Sequence, residues 1–307
     1  MRTFFFVLML LFSFIAQASF EDHFKKAEGK SPLSQMRNID FIYMINLDER
    51  PQKYASCLEQ LLPYGIHPYR FSAVNGWKLS LEAINEVGVE FQTGMQKGIW
   101  GAVFPLDGNG TPRRELIEKN GEMYFCDGMV RGAIGIVLSH LSILQDAYDS
   151  MYETIWVMED DIEVVKDPRF ISDLIDLIDE EVGKENWDIL FTDRDTKDQM
   201  GNNVICRGYS KRPNFKPKNI AQYLWNYQVS SSFRRLGARF GAYSMIIRRS
   251  GMVKLLDFFK KYKVFLPYDM DFYLPPGMQM YTVLDDVVST QPQALSDNAY
   301  PGYLEGK

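Results

Sequence analysis

Residues 154–165, TIWVMEDDIEVV, decide the fold of this chain. A β-branched, apolar run from Ile155 to Met158 stops at three consecutive acids, Glu159, Asp160 and Asp161. A second apolar run, Ile162 to Val165, follows with only Glu163 interrupting it. Such runs read as buried strands. Three adjacent carboxylates at the end of a buried strand are costly: two like charges about 4 Å apart repel by roughly 4 kcal/mol at an effective dielectric of about 20. A bound cation relieves that repulsion, and hard oxygen ligands suit Mg²⁺, Mn²⁺ or Ca²⁺. Taken alone, the segment fits a solvated acidic turn equally well, so its neighbours have to decide.

Upstream, residues 39–47 (IDFIYMINL) form another strand-like run, stopped by Asp48-Glu49-Arg50-Pro51. Residues 52–62 have helical spacing, with Tyr54, Leu58, Leu61 and Leu62 on one side. Residues 69–74 read as a strand closed by the turn signal Asn75-Gly76. Strand, helix and strand in this order predict a parallel α/β sheet. Residues 77–130 are rich in glycine and read as a loop-rich insert covering one end of that sheet. Residues 132–148 and 170–182 have helical spacing. Residues 187–192 (WDILFT) read as a strand ending in Asp193-Arg194-Asp195. Ligands bind at the strand ends of open α/β sheets, and both acidic groups fall at such ends. Residues 200–236 are polar, aromatic and basic and read as a solvated loop. A strand at 242–247, a helix at 251–261 and a short strand region at 276–283 follow, and the end is loop-like.

Apolar residues make up 46% of the chain and aromatic residues 14%, enough for a sizeable core and unlike a disordered protein. The formal net charge is −6 with no long run of either sign, which argues against a nucleic-acid partner. Arg2, the apolar residues 4–15 and Ala16-Gln17-Ala18 have the pattern of a secretory signal peptide. That apolar stretch is too short to span a bilayer, which takes about 20 residues. Cleavage is expected after Ala18, leaving a polar leader at 19–38 and no transmembrane span in the mature chain. The expected location is a periplasm, a secretory lumen or the medium; without a functioning signal it is the cytoplasm. Cys57, Cys126 and Cys206 are scattered, which supports neither a zinc site nor a disulfide framework. With only His23, His67 and His140, a multi-histidine metal site is not expected.

Several blocks, in order, resemble glycosyltransferase family 25, the group of lipooligosaccharide and collagen-modifying galactosyltransferases. They are Ile45-Asn46-Leu47-Asp48 with Arg50-Pro51; Phe71-Ser72-Ala73-Val74-Asn75-Gly76; Gly135 with Ser139-His140; Glu159-Asp160-Asp161; and Ala242-Tyr243, Pro267 with Asp269, and Ser296-Asp297. Glu49 and Asn75 depart from the family pattern, and residues 77–130 do not match clearly. The resemblance implies one domain over residues 39–298 and a tail at 299–307. The implied fold is α/β, GT-A-like and Rossmann-related, with a mostly parallel central sheet flanked by helices.

The implied activity is inverting transfer of a hexose, galactose or glucose, from a UDP-sugar to a hydroxyl of a lipooligosaccharide-like glycan or of a protein. A divalent metal, expected to be Mn²⁺, would sit at the acidic motif and stabilise the leaving diphosphate. By resemblance, Asp161 contacts the metal, and Glu159 holds the ribose or a metal-bound water, or ligates the metal too. Asp160 is a weaker nucleotide contact, expected to point away because alternate strand residues face opposite sides. Asp297 is a candidate downstream metal ligand and equally an Asx-turn residue. Asp269 is the first candidate for the base that deprotonates the acceptor, and Asp193 the second. Asn46 and Arg50 are candidates for contacts to the nucleotide base and phosphate. His140, on an apolar helix side, reads as a core histidine. The competing reading is a catalytically inactive exported protein that keeps the fold and binds a glycan or a host partner.

Overall fold

Strands β1 (Phe41–Asn46), β2 (Tyr69–Ser72) and β3 (Thr154–Glu159) run parallel, with β1 in the middle and Ile45 opposite Glu159. The structure, a computed structural model, describes residues 19–31, 36–198, 200–291, 296–298 and 301–305. The expected signal peptide, residues 1–18, lies outside the described residues. Strands β4 (Ile189–Phe191), β5 (Asn226–Gln228), β6 (Phe233–Leu236), β7 (Ser244–Arg248) and β8 (Met280–Val283) complete an eight-stranded sheet. Its order is β5-β6-β8-β4-β7-β3-β1-β2. The pairings leave only β6 and β7 reversed, so the sheet is mixed but mostly parallel in direction, as a GT-A-like fold requires.

Both faces of the sheet are covered, which is why its central strands read as unbroken apolar runs. Tyr43, Ile45, Ile155 and Val157 enter one core, with Val137, Leu141 and Leu144 of α3 (Arg131–Asp149; the helices Pro51–Leu61 and Leu81–Val87 are α1 and α2) and with Leu255 and Phe258 from the helix Arg249–Tyr262. Ile42, Met44, Trp156 and Met158 enter the other, against Cys57 and Leu61 of α1 and Ile171, Ile175 and Ile178 of the helix Phe170–Ile178.

Two features of this topology build the site. Beyond Glu159 the chain turns through Asp160-Asp161 and returns as the strand Ile162–Val164, paired antiparallel with Val288–Thr290. The Asp161 carbonyl accepts from the Gln291 N–H at 2.9 Å, which pins the turn. Because β7 is reversed, it begins at the same edge where β3 ends. The Glu159 N–H donates to the Tyr243 carbonyl at 2.9 Å, and residues 241–243 lie beside the acids.

Residues 77–130 are more regular than the glycine content suggested. They form α2 and a four-stranded antiparallel sheet, ordered Val89–Glu90, Met123–Cys126, Trp100–Val103, Arg113–Leu116. Val87, Ala102, Ile117 and Phe125 share the core beneath α3, so the insert is part of the same packed body. The polar region 200–236 likewise supplies the edge strand β5 and its neighbour β6, where the sequence read only loop. Phe233 and Leu236 are buried there. Among the described residues, no helix is long and apolar enough to cross a membrane.

Candidate active site

The acids line a cavity at the C-terminal edge of β1, β2 and β3. Its walls include Asn46, Lys53, Asn75, Gly76, Trp77, Gly132, His140, Asp160, Asp161 and Asp297. A second cavity adjoins it, lined by Glu159, Gly241, Ala242, Tyr243, Tyr268 and Asp269. Glu159, Ile136 and Asn298 belong to both.

Close backbone approaches shape the first cavity. A Cβ on Gly76 would lie 1.8 Å from the Arg131 carbonyl oxygen, and one on Gly135 would lie 2.5 Å from both the Gly76 nitrogen and the Val74 carbonyl oxygen. The Asn75-Gly76 turn therefore rests directly on the first turns of α3. The Ser139 hydroxyl secures the contact by accepting from the Val74 N–H at 2.8 Å.

The three acids have different surroundings. Asp160 Oδ2 accepts from Asn46 Nδ2 at 2.6 Å. Asp160 lines the cavity instead of pointing away, because it belongs to the turn, where strand alternation no longer applies. Asp161 Oδ1 is buried with no hydrogen-bond partner among the described residues. Burial and then the carboxylates of Glu159 and Asp160 push its pKa up to about 7. Burial, with Asp160 and Asp269 adding to it, pushes Glu159 up to about 8. Burial raises Asp160 as well, opposed by the Asn46 bond and Lys53. All three shifts come first from burial, with neighbouring carboxylates adding to it.

His140 is more than a core histidine. Its ring is 1% exposed, stacks on Tyr268 with centroids 4.0 Å apart, and brings Nε2 within 3.0 Å of Glu159 Oε1. Burial pushes its pKa down to about 3, so the ring is neutral and shares a single proton with Glu159 across this contact.

The other candidates separate clearly. Asp269 lies in the second cavity, where the Gly241 N–H donates to its Oδ2 at 3.1 Å and burial raises its pKa. Asp193 lines neither cavity. It is fully buried, paired with Arg239 at 2.5 Å and accepting from the Tyr243 and Ser289 hydroxyls at 2.6 and 3.1 Å. Each of its oxygens is engaged, which suits a brace behind β7 and not a base. Asn46 is 1% exposed, and its amide is fully engaged: Nδ2 donates to the Arg50 carbonyl and to Asp160, and Oδ1 accepts from Arg70 Nε at 2.7 Å. It holds the acidic turn to β1 and α1 and has no donor left for a nucleotide base. Asp297 pairs with Lys53 at 2.8 Å and with Arg50 at 3.4 Å, and Arg50 stacks on the Tyr303 ring at 5.7 Å. Its carboxylate is thus balanced by two cations at the cavity mouth, beside the N-terminus of α1, a place that favours anions.

Sequence reasoning passed over Lys53, His140 as a partner of Glu159, and Trp77, whose Nε1 donates to the Asp297 carbonyl at 3.3 Å. Lys53 had a signal, since it sits one helical turn from Arg50 at the start of α1.

Whether a metal fits can be judged from the donor atoms. Among the described residues, no group of three or more His, Cys, Asp or Glu side chains converges as a ready-made metal cage. A cation bound jointly with a diphosphate does not need one, because Mg²⁺-type sites use one or two carboxylates plus substrate phosphates. Asp161 Oδ1, buried and without a hydrogen-bond partner among the described residues, is the oxygen available to such a cation.

The profile of "Glycosyltransferase family 25 (LPS biosynthesis protein)" matches residues 39–272, and the chain belongs to that family. It is similar to proteins named "Glycosyltransferase 25 family member" from Drosophila melanogaster, 24% identical over 62% of this chain and 28% of the relative, and from Aedes aegypti, 27% identical over 59% and 26%. It is also similar to the human "Inactive glycosyltransferase 25 family member 3", 26% identical over 51% of this chain and 22% of the relative. The matched segments span about a quarter of the length of these relatives.

Proposed function

We propose that the protein moves a hexose, galactose or glucose, from a UDP-sugar to a hydroxyl of a glycan or protein, with inversion at the sugar carbon. The observation that carries this reading is Asp161, a lining residue of the first cavity whose Oδ1 is buried with no hydrogen-bond partner among the described residues. The UDP-sugar occupies the first cavity. Lys53, Arg50 and the N-terminus of α1 draw in its diphosphate, which displaces Asp297 from part of its ion pairing. A divalent cation such as Mn²⁺, held by Asp161 with Glu159 nearby, supplies Lewis-acid stabilisation to the leaving diphosphate when bound.

The acceptor occupies the second cavity. Asp269, whose raised pKa makes it the stronger base, takes the hydroxyl proton as the acceptor oxygen bonds to the sugar carbon from the face opposite the diphosphate. The bond from that carbon to the phosphate oxygen breaks, and UDP leaves with the electron pair. The sequence pattern at residues 1–18 supports export, and mass spectrometry of the mature N-terminus tests it.

A donor screen with Mn²⁺, reading free UDP, tests the activity; turnover of one UDP-hexose is the expected result. The human relative named inactive favours one other reading, a protein that keeps the fold and binds a glycan or partner without transfer. Calorimetry showing no UDP-sugar binding, with or without Mn²⁺, selects that alternative.

A further inference from the structure

One edge of the central sheet is open. β5 pairs with β6 on one side, and among the described residues no strand pairs with its other side. The register fixes which backbone groups that edge presents. The Val229 N–H donates to the Phe233 carbonyl at 3.0 Å and the Gly237 N–H to the Trp225 carbonyl at 2.7 Å, so Trp225, Tyr227 and Val229 direct their backbone groups at β6. The alternation of an antiparallel ladder then turns the N–H and C=O of Asn226 and Gln228 outward.

Natural sheet edges are commonly blunted with charge or proline, and this one is not. Residues 219–233 contain no Lys, Arg, Asp, Glu or Pro, in a chain that is 24% charged. Trp225, Tyr227 and Val229, which are 38%, 46% and 39% exposed, share one face of the strand. The Arg235 guanidinium lies 4.8 Å from the centre of the Trp225 ring and steadies the indole. The stretch is also complementary to itself. About a twofold axis at Tyr227, an antiparallel copy sets Asn226 opposite Gln228 and Trp225 opposite Val229, and the outward groups of Asn226 and Gln228 are those that this pairing exchanges. Tyr227 meets its own counterpart in the closer, non-hydrogen-bonded position, where aromatic pairs stabilise a sheet. No like charges oppose each other in this register.

We propose that β5 pairs antiparallel with β5 of a second copy of this chain, joining the two central sheets into one. An extended segment of a different chain would not require the strand to match itself, and the self-match favours a second copy. β4, β8 and β6 separate β5 from β7 in the sheet, so the pairing edge is remote from both cavities. The pairing is independent of the transfer reaction proposed above.

Sedimentation velocity of the full protein between about 1 and 100 μM tests this, and the mass is expected to rise with concentration from that of a monomer towards twice that value. Hydrogen exchange locates the contact: protection of the Asn226 and Gln228 amides is expected to increase with concentration. Gln228→Pro removes an outward N–H that β6 does not use, and it is expected to weaken association at least about tenfold. Tyr227→Lys sets two like charges opposite each other at the axis and is expected to weaken association by about as much, with partial recovery in high salt. A protein that stays monomeric across the range overturns the proposal, as does a dimer that forms equally well in both variants or leaves the two amides unprotected. Protection that appears only when an acceptor protein is added to a monomer also overturns it and assigns the edge to that other chain. The exchange measurement uses the wild type, so it decides the matter even if a variant fails to fold.

Discussion

His140 Nε2 lies 3.0 Å from Glu159 Oε1, at the wall shared by the two cavities. This contact joins α3 to the end of β3 and fixes the Glu159 carboxylate from behind, with the Tyr268 ring closing the other face of the imidazole. A buried partner of this kind orients a functional carboxylate. Removing such a partner typically costs about 10–100-fold in activity or metal affinity. His140→Phe preserves the stacking and removes the shared proton, so kcat is expected to fall within that range while far-ultraviolet circular dichroism is unchanged. Wild-type kcat in a folded His140→Phe would show that the contact is structural only.

Asp161→Asn separates catalysis from stability. The variant keeps the shape of the side chain and loses the charge. If the Lewis-acid contribution is about 3 kcal/mol, the transfer rate falls about 10²-fold. At pH about 8 the metal-free variant is expected to melt higher than wild type, because relieving like-charge crowding stabilises the fold. Full UDP release by this variant at saturating Mn²⁺ would falsify the metal role of Asp161.

The raised pKa values set a pH dependence with a definite sign. Glu159 and Asp161 titrate near 8 and 7 in the folded protein, above their ordinary 4.5 and 3.8. The folded state therefore holds these protons more tightly than the unfolded chain. The associated stability is fully present below the ordinary values and is lost as pH rises through the folded ones. In EDTA, the melting temperature is expected to fall between about pH 5 and pH 8, and Mn²⁺ added at the upper end is expected to recover part of it. A melting temperature that rises over this interval in EDTA would contradict the crowding of these acids.

Lys53 offers a test of donor binding. It lines the first cavity and pairs with Asp297 at 2.8 Å. Lys53→Met is expected to raise the UDP-sugar KM roughly tenfold with a smaller change in kcat, as the loss of one charge-assisted contact made in both ground and transition states. Steady-state kinetics with varied donor decide it; a change confined to kcat would place Lys53 in the chemical step instead.

Gly135→Ala tests the backbone contact beneath the first cavity. The added methyl would sit 2.5 Å from the Gly76 nitrogen and the Val74 carbonyl oxygen, so α3 and the Asn75-Gly76 turn must separate. Overpacking of this kind costs about 1–3 kcal/mol. Chemical denaturation is expected to show that loss, and an unchanged midpoint would mean that the turn yields freely.

The parts of the fold that sequence revealed are those whose physics is local. Residues 39–47 and 154–159 are apolar without a break because both sheet faces are covered, and α3 carries its own periodicity. The strands at 89–90, 100–103, 113–116 and 123–126 gave no such signal. Each is two to four residues long, and Val89 pairs with Tyr124 and Trp100 with Leu116 only once the insert has folded. The site shows the same division. The three acids were visible as a costly cluster, but what surrounds them comes from Asn46, Lys53, His140 and Asp297, brought together by topology alone. In sequence, Asp193 stood out as an acid at a strand end and Asp269 by its place in a block resembling the family; the fold buries Asp193 behind Arg239 and sets Asp269 in a cavity beside Gly241.

The two cavities share Glu159, Ile136 and Asn298, and α3 contributes to both. The first adds the ends of β1 and β2, the turn after β3, residues 296–298 and Tyr303; the second takes most of its wall from residues 241–243 and 267–269. The reversal of β7 makes this division possible, since it delivers 241–243 to the ligand edge from a part of the chain that takes no part in the first cavity. Natural variation in those six residues can retool one recognition step while the other is inherited intact. A scaffold divided in this way can diversify by changing one short stretch at a time.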